Sequence, residues 1–269
     1  MSFYREIEPY IGALLIQMKE TLSYRSDFVM QIFMRLGFPA ITIAAWAAIY
    51  GATNSSTIGG LSLMSMIEYF LVTTVVFIVF FNDALWDMQW LVQSGDISAV
   101  LLKPTRFPLN IFVGGTAVTA VYFATIGVPI LAFTIWLFHT QMTVSAIAVF
   151  SVYMMISLLI GFFASFTLGC LAIYFIDIGG LGMAYNWVTV WFAGGVVPLS
   201  LFPSSISSVL MSLPWAYQGY IPVSVLTGKI SVAAAVALMP IGIAWLLILF
   251  AMAFVAWRFT KRYMDVAGV

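Results

Sequence analysis

The chain has 269 residues, 63% of them Ala, Val, Ile, Leu, Met, Phe, Trp, Tyr or Cys and 7% Asp, Glu, Lys or Arg, with ten basic residues balancing ten acidic ones. Soluble domains carry about 25% charged residues, so this composition excludes a soluble globular enzyme. The neutral balance, with no Lys/Arg-rich run, gives no reason to expect nucleic acid.

The few charges are segregated: residues 36–67, 107–176, 178–228 and 230–257 contain no Asp, Glu, Lys or Arg. Such continuously apolar runs exclude the alternating pattern of a transmembrane β-barrel and point to an all-α polytopic membrane protein. The N-terminal residues mix Arg5 with Glu6 and Glu8 and lack a short apolar core before a small-residue cleavage site, so no signal peptide is expected to be removed. Residues 3–25 place Phe3, Ile7, Tyr10, Ile11, Leu14, Leu15, Met18 and Leu22 at helical spacing, the signature of an amphipathic helix lying on a membrane surface. Six spans follow, at about 28–50, 63–82, 108–138, 143–175, 181–200 and 232–257, and the third is expected to bend at Gly127 and Pro129.

Orientation comes from the basic residues. With six spans, Arg5, Lys19, Arg25, Arg35, Lys103, Arg106, Arg258, Lys261 and Arg262 share one side and Lys229 alone lies opposite. Both termini are therefore expected in the cytoplasm. On that side, residues 83–106 form a polar loop in which Gly95 ends one short helix and Asp96 is placed to cap another that stops at Pro104. Its apolar Ile97, Val100 and Leu101 need either a partner surface or the lipid headgroups. On the other side, residues 201–230 form an apolar segment interrupted by Pro203, Pro214 and Pro222, too broken to span. The economical reading is a re-entrant helical pair with Trp215, Tyr217 and Tyr220 at the outer interface.

Motifs for chemistry are scarce. The sequence has no HExxH, no GxSxG and no paired carboxylates within the spans, and the lone cysteine, Cys170, cannot form an intramolecular disulfide. The Gly228-Lys229 pair lacks the first glycine and the Ser/Thr of a phosphate-binding loop. The chain itself is thus expected to hold no cofactor or metal and to hydrolyse no ATP. His139 reads as a solvated turn residue. Glu68 is the one acid inside a span, fit either for a local polar contact or for ion coupling. Ser157, Gly161, Ser165 and Gly169 follow one another at intervals of four, a groove for close approach of another helix in this chain or in a second one. Trp187 and Trp191 share one face of the fifth span.

The layout as a whole, with the strings Gly95-Asp-Ile-Ser-Ala-Val-Leu-Leu-Lys-Pro104 and Leu213-Pro-Trp-Ala-Tyr-Gln-Gly-Tyr-Ile-Pro222, resembles the membrane subunit of bacterial type-2 ATP-binding-cassette (ABC) exporters. The resemblance implies two six-helix permeases, alike or homologous, paired in the inner membrane around a pathway, with separate ABC ATPase subunits binding ATP and Mg beneath them. It assigns Gly95, Asp96, Ile97, Val100, Leu101, Lys103, Pro104 and Arg106 to ATPase coupling. It also turns spans two and five to the pathway, making Glu68, Phe77, Trp187 and Trp191 candidate lining residues. An ion-coupled carrier or channel is the alternative class.

Overall fold

The computed structural model describes residues 2–102, 105–138 and 143–267. Helix α1 (Ser2–Ser23) leads through Tyr24 into α2 (Arg25–Thr53), which ends on Asn54 in the left-handed region. A two-residue turn, Gly59-Gly60, with positive φ at both positions, joins β1 (Thr57–Ile58) to β2 (Leu61–Ser62) as a minimal antiparallel hairpin. The hydroxyl of Tyr50 donates to Leu61 O at 2.6 Å and holds the hairpin on α2. Ser62 then caps α3 (Leu63–Phe80) by accepting from Ser65 N.

Past Phe81 the chain forms α4 (Ala84–Ser94) and α5 (Ile97–Leu101), then returns through α6 (Phe107–Tyr122) and α7 (Val128–Phe138). Between these last two lies a π-helical turn, Phe123–Gly127, directly before Pro129. A π turn therefore occupies the place where the bend is expected, and an inserted residue of this kind is a local device that kinks helices. Helix α8 (Val144–Gly169), the short α9 (Ala172–Phe175) and α10 (Gly179–Phe192) follow. A 3-10 turn at Leu199–Leu201 precedes α11 (Ser204–Ser212), α12 (Pro214–Gln218), α13 (Tyr220–Leu226) and the long α14 (Val232–Ala267).

Among the described residues, five segments are long and apolar enough to cross a membrane: Arg25–Thr53, Leu63–Ser94, Phe107–Phe138, Val144–Phe175 and Val232–Met264. Segments of 32 or 33 residues reach about 50 Å at 1.5 Å per residue, more than the roughly 30 Å of a hydrocarbon core, so they project beyond it. The expected span at 181–200 is instead a 14-residue helix, stopped where Gly194 takes φ 81° ahead of Pro198. That segment begins against Leu85 and Trp86 of α4 and reaches the hairpin at Leu201 beside Gly59.

Helices α3 and α8 form the centre. The most apolar stretch of the segment Leu63–Ser94, which contains α3, is 67% buried, against 6% for that of α2, which turns Met30, Phe33, Met34 and Ile41 outward. The four-residue stripe on α8 packs within this chain: Ser157 Oγ donates to Gln218 O at 2.8 Å, and Ser165 Oγ to Asn82 O at 3.0 Å. A Cβ at Gly161 would overlap the carbonyl oxygen of Phe80, and one at Gly169 would lie 3.0 Å from Met88 Cβ. The stripe is therefore the seat of α3, α4 and α12, not a surface left for a second copy.

Helices α12 and α13 sit inside the bundle rather than at its rim. Tyr217 and Tyr220, expected at an aqueous interface, are buried, and Tyr220 faces the Tyr69 ring at 6.3 Å. Trp215 packs edge-on against Phe192 at 5.3 Å. Breaking the helix at Gly219 lets the backbone pass close to Ala193, where a Cβ would overlap its carbonyl oxygen. Neighbouring helices shield the interrupted backbone, as a broken helix at membrane depth requires.

Candidate functional site: the docking loop and the pathway residues

The loop between α3 and α6 is fixed at its corner by Asn82, whose Oδ1 accepts from Ala84 N at 2.8 Å. Along α4, Ala84, Leu85, Met88 and Leu91 recur at helical spacing and are buried, with Met88 seated on Gly169. Trp86 and Trp90, one turn apart, have different surroundings: Trp86 lies on Gly182 of α10, and Trp90 is exposed.

The same helix grips a second loop, residues 175–179, through two glutamines. Gln89 Nε2 donates to Asp177 Oδ1 and Gln89 Oε1 accepts from Ile178 N, both at 3.2 Å, while Gln93 Nε2 donates to Ile176 O at 3.3 Å. Ile176 sits at φ 63°, ψ −50°, and Asp177 N donates to Phe175 O at 2.6 Å, closing a γ-turn. That backbone region is strained for a β-branched residue. Because α10 begins at Gly179, this turn joins α4 to the start of α10.

Gly95, at φ 77°, ends α4 as expected, but the Asp96 side chain makes no capping hydrogen bond. The apolar residues of α5 also differ from expectation. Ile97 is 4% exposed, and Val100 and Leu101 are half-buried, all packed on Met88, Leu91, Phe107, Phe166 and Met264. They secure α5 to the bundle. The outward surface consists of Asp96, Ala99 and Leu102, the last 87% exposed. The Leu-Leu pair gave no sequence signal for which leucine would face out. Lys103 and Pro104, like His139, lie outside the described residues. Arg106 is exposed, and its backbone N–H donates to Tyr10 Oη at 2.8 Å, tying α1 to the start of α6.

The four candidate pathway residues are not brought together. Glu68 is half-buried near the hairpin, lining a cavity of about 450 Å³ with Phe138, Thr227 and Val232. Beside it, Lys229 Nζ donates to Ser65 O at 3.2 Å and stands 4.6 Å from the Tyr69 ring centroid. Burial pushes the Lys229 ammonium down to about 8, with Glu68 pulling in the opposite direction. Phe77 is internal packing: it stacks edge-on against Phe80 at 4.4 Å and fills the space a side chain at Gly195 would need. Trp187 and Trp191 share the open face of α10, 57% and 46% exposed, and Phe38 of α2 meets Trp187 edge-on at 6.3 Å. Among the described residues, no three or more His, Cys, Asp or Glu gather as a metal site.

Comparison with protein families matches residues 36–268, most of the chain, to the ABC-2 family transporter protein model. The chain belongs to this family. It is the permease subunit of a type-2 ABC transporter, a multi-pass membrane protein, and membership implies association with ABC ATPase subunits. Comparison with curated proteins yields no match. The family match begins inside α2, so α1 lies outside it.

Proposed function

We propose that the permease pairs with a second permease subunit, the same or homologous, to form a substrate pathway across the bacterial inner membrane, and that it exports substrate at the expense of ATP bound with Mg by separate ATPase subunits. In this reading the chain is not itself an enzyme. It crosses the membrane six times, with residues 181–200 as the fifth crossing, both termini and residues 83–106 in the cytoplasm, and residues 201–230 re-entrant from outside. Nine of ten basic residues then lie inside, as the positive-inside rule requires.

The observation that carries the proposal is the α4–α5 loop. It offers Ala99 and Leu102 outward, is anchored on α8, and is hydrogen-bonded through Gln89 and Gln93 to the turn that starts α10. An ATPase that closes on ATP and carries α5 with it would move α10, whose free face holds Trp187 and Trp191. The work available to bias inward- against outward-open states is the difference in ATPase and substrate affinity between them.

The experiment is transport by the permease co-reconstituted with its ATPase in vesicles, with and without ATP and an ion gradient. Flux that needs ATP and stops with a hydrolysis-deficient ATPase is the expected result. Flux driven by an ion gradient with no ATPase present would overturn the proposal in favour of an ion-coupled carrier.

A further inference from the structure

Between the end of α3, the middle of α8 and α10 lies a crevice lined by Asn82, Gly161, Tyr185, Asn186 and Thr189 among others, none of them charged. It is too narrow to admit a water molecule. Thr189 and, beside it on α12, Gln218 are each 1% exposed, and neither Thr189 Oγ1 nor Gln218 Nε2 has a hydrogen-bond partner. Thr73, Thr74, Thr134 and Thr167 donate to the carbonyl four residues back, but Thr189 makes no such bond. Gln218 Nε2 lies 3.4 Å from where a Cβ at Gly161 would stand, and Tyr185 comes close to both groups without completing a hydrogen bond to either.

A buried hydroxyl or amide without a partner is costly, and in a dry crevice no water offsets the loss. That cost belongs to this closed arrangement: any other that lets water or a neighbouring polar group reach Thr189 and Gln218 removes it. Thr189 lies two residues from both Trp187 and Trp191, about 200° round the helix. Helix α10 therefore shows its tryptophans on one side and covers the polar groups with the other. Its ends suit a turning motion, since Gly179 and Gly180 begin it and Gly194, at φ 81°, and Gly195 follow it. The wall it covers is fixed, because α8 is hydrogen-bonded to α12 through Ser157 and to the corner after α3 through Ser165.

We propose that the crevice is a joint: in one state of the transport cycle α10 turns away from the fixed wall of α3, α8 and α12, water reaches Thr189 and Gln218, and the groups left unpaired in the closed state thereby make opening easier. Such a joint presupposes the transport reading and deepens it by naming the helix interface that opens. The two polar side chains lower the stability of the closed state and narrow its gap to the open one.

The test uses the full chain with its ATPase in nanodiscs. Thr189→Cys is treated with a charged, water-soluble thiol reagent, first without nucleotide and then with ATP and a hydrolysis-deficient ATPase. The wild type, whose cysteine Cys170 is buried, gives the background. Labelling rates in the two states are expected to differ at least about tenfold. The double variant Thr189→Val/Gln218→Met removes the unpaired groups at nearly constant volume. The permease alone should then melt about 2–4 °C higher, while ATP-driven flux in vesicles falls about fivefold or more. A merely structural pair of hydrogen-bonding residues would move both readouts down together. Equal labelling rates in the two states, a lower melting temperature or unchanged flux would overturn the joint. Wild-type flux that needs no ATP would defeat the transport reading instead, and the melting comparison, made without ATPase or ATP, would still decide the joint.

Discussion

Around Gly161 the backbone of α3, the side chain of Gln218 and α8 meet with no room for a methyl group, whereas beneath α1 two cavities remain open. The first is made by α3, α8 and α12 and the second by α1, α2, α4, α5 and α6, and they are built on opposite principles. In the first, small residues bring backbones close enough for Ser157 and Ser165 to bond carbonyls directly, and broken helices are tolerated because protein covers them. In the second, open volume lies between α1, which packs along α6, and the helices beneath it. Rigidity at the broken helices and latitude at the inner loops are what a permease driven from one end needs.

The sharpest way to break this contrast is to force a side chain into the tight region. Gly161→Leu drives atoms into the backbone carbonyl of Phe80 at the end of α3. Overpacking of this kind costs about 1–3 kcal/mol or more, and here the loss of properly folded protein is expected in size-exclusion profiles of detergent extracts. Gly114→Leu in the open region is expected to leave the profile unchanged. Equal behaviour of the two would erase the distinction.

A second pair of substitutions separates packing from docking within α5. Leu101→Asp buries a carboxylate in the cluster around Met88 and Phe107, so thermal stability should fall by several kcal/mol. Leu102→Asp, at an 87% exposed position, should shift stability by no more than about 0.5 kcal/mol yet release the co-expressed ATPase in affinity purification. Retention of the ATPase by the Leu102 variant would move the docking surface off α5.

Much of this architecture can be read directly from residue patterns. The charge-free runs, the bend at Gly127-Pro129, the stop at Gly95 and the close-approach stripe on α8 all follow from residue types whose local physics admits few alternatives. Which partner the stripe meets did not follow, because a four-residue interval specifies a groove and not its occupant. The burial of Tyr217 and Tyr220 was hidden for a related reason. An aromatic residue beside proline breaks looks the same at a water interface as in a protein-covered re-entrant turn, and only the approach of Tyr69 distinguishes them. The pathway candidates dispersed because type and span alone cannot tell Phe77, wedged at Gly195, from Trp187, which faces outward.

The strained turn at Ile176 tests whether the inner region transmits motion. Ile176→Gly removes a left-handed β-branched residue that is 62% exposed and buries little. Relief of strain, offset by the extra chain entropy of glycine, should raise stability by about 0.5–1 kcal/mol. If the turn relays displacement of α4 to α10, ATP hydrolysis in the complex should continue while substrate flux falls. Unchanged coupling would reduce the turn to a local accommodation.

The smallest expected effect comes from the opposite end, at Lys229. Its ammonium lies against Ser65 O and the Tyr69 ring, and burial brings its titration down to about 8, from an ordinary value near 10.5. Below about pH 8 the folded chain carries a charge that water would solvate better, and the full penalty is present. As pH rises from about 8 to about 10.5, the folded chain has released this proton and the unfolded chain still holds it, so stability increases with pH across that window. Lys229→Met removes the titrating group, and the difference between the wild-type and variant slopes of thermal midpoint against pH isolates it from the other titrating groups. A wild-type slope that is more positive between pH 8 and 10 is expected. Equal slopes would mean that Lys229 is solvated and that the tight packing stops short of the residues beside Glu68.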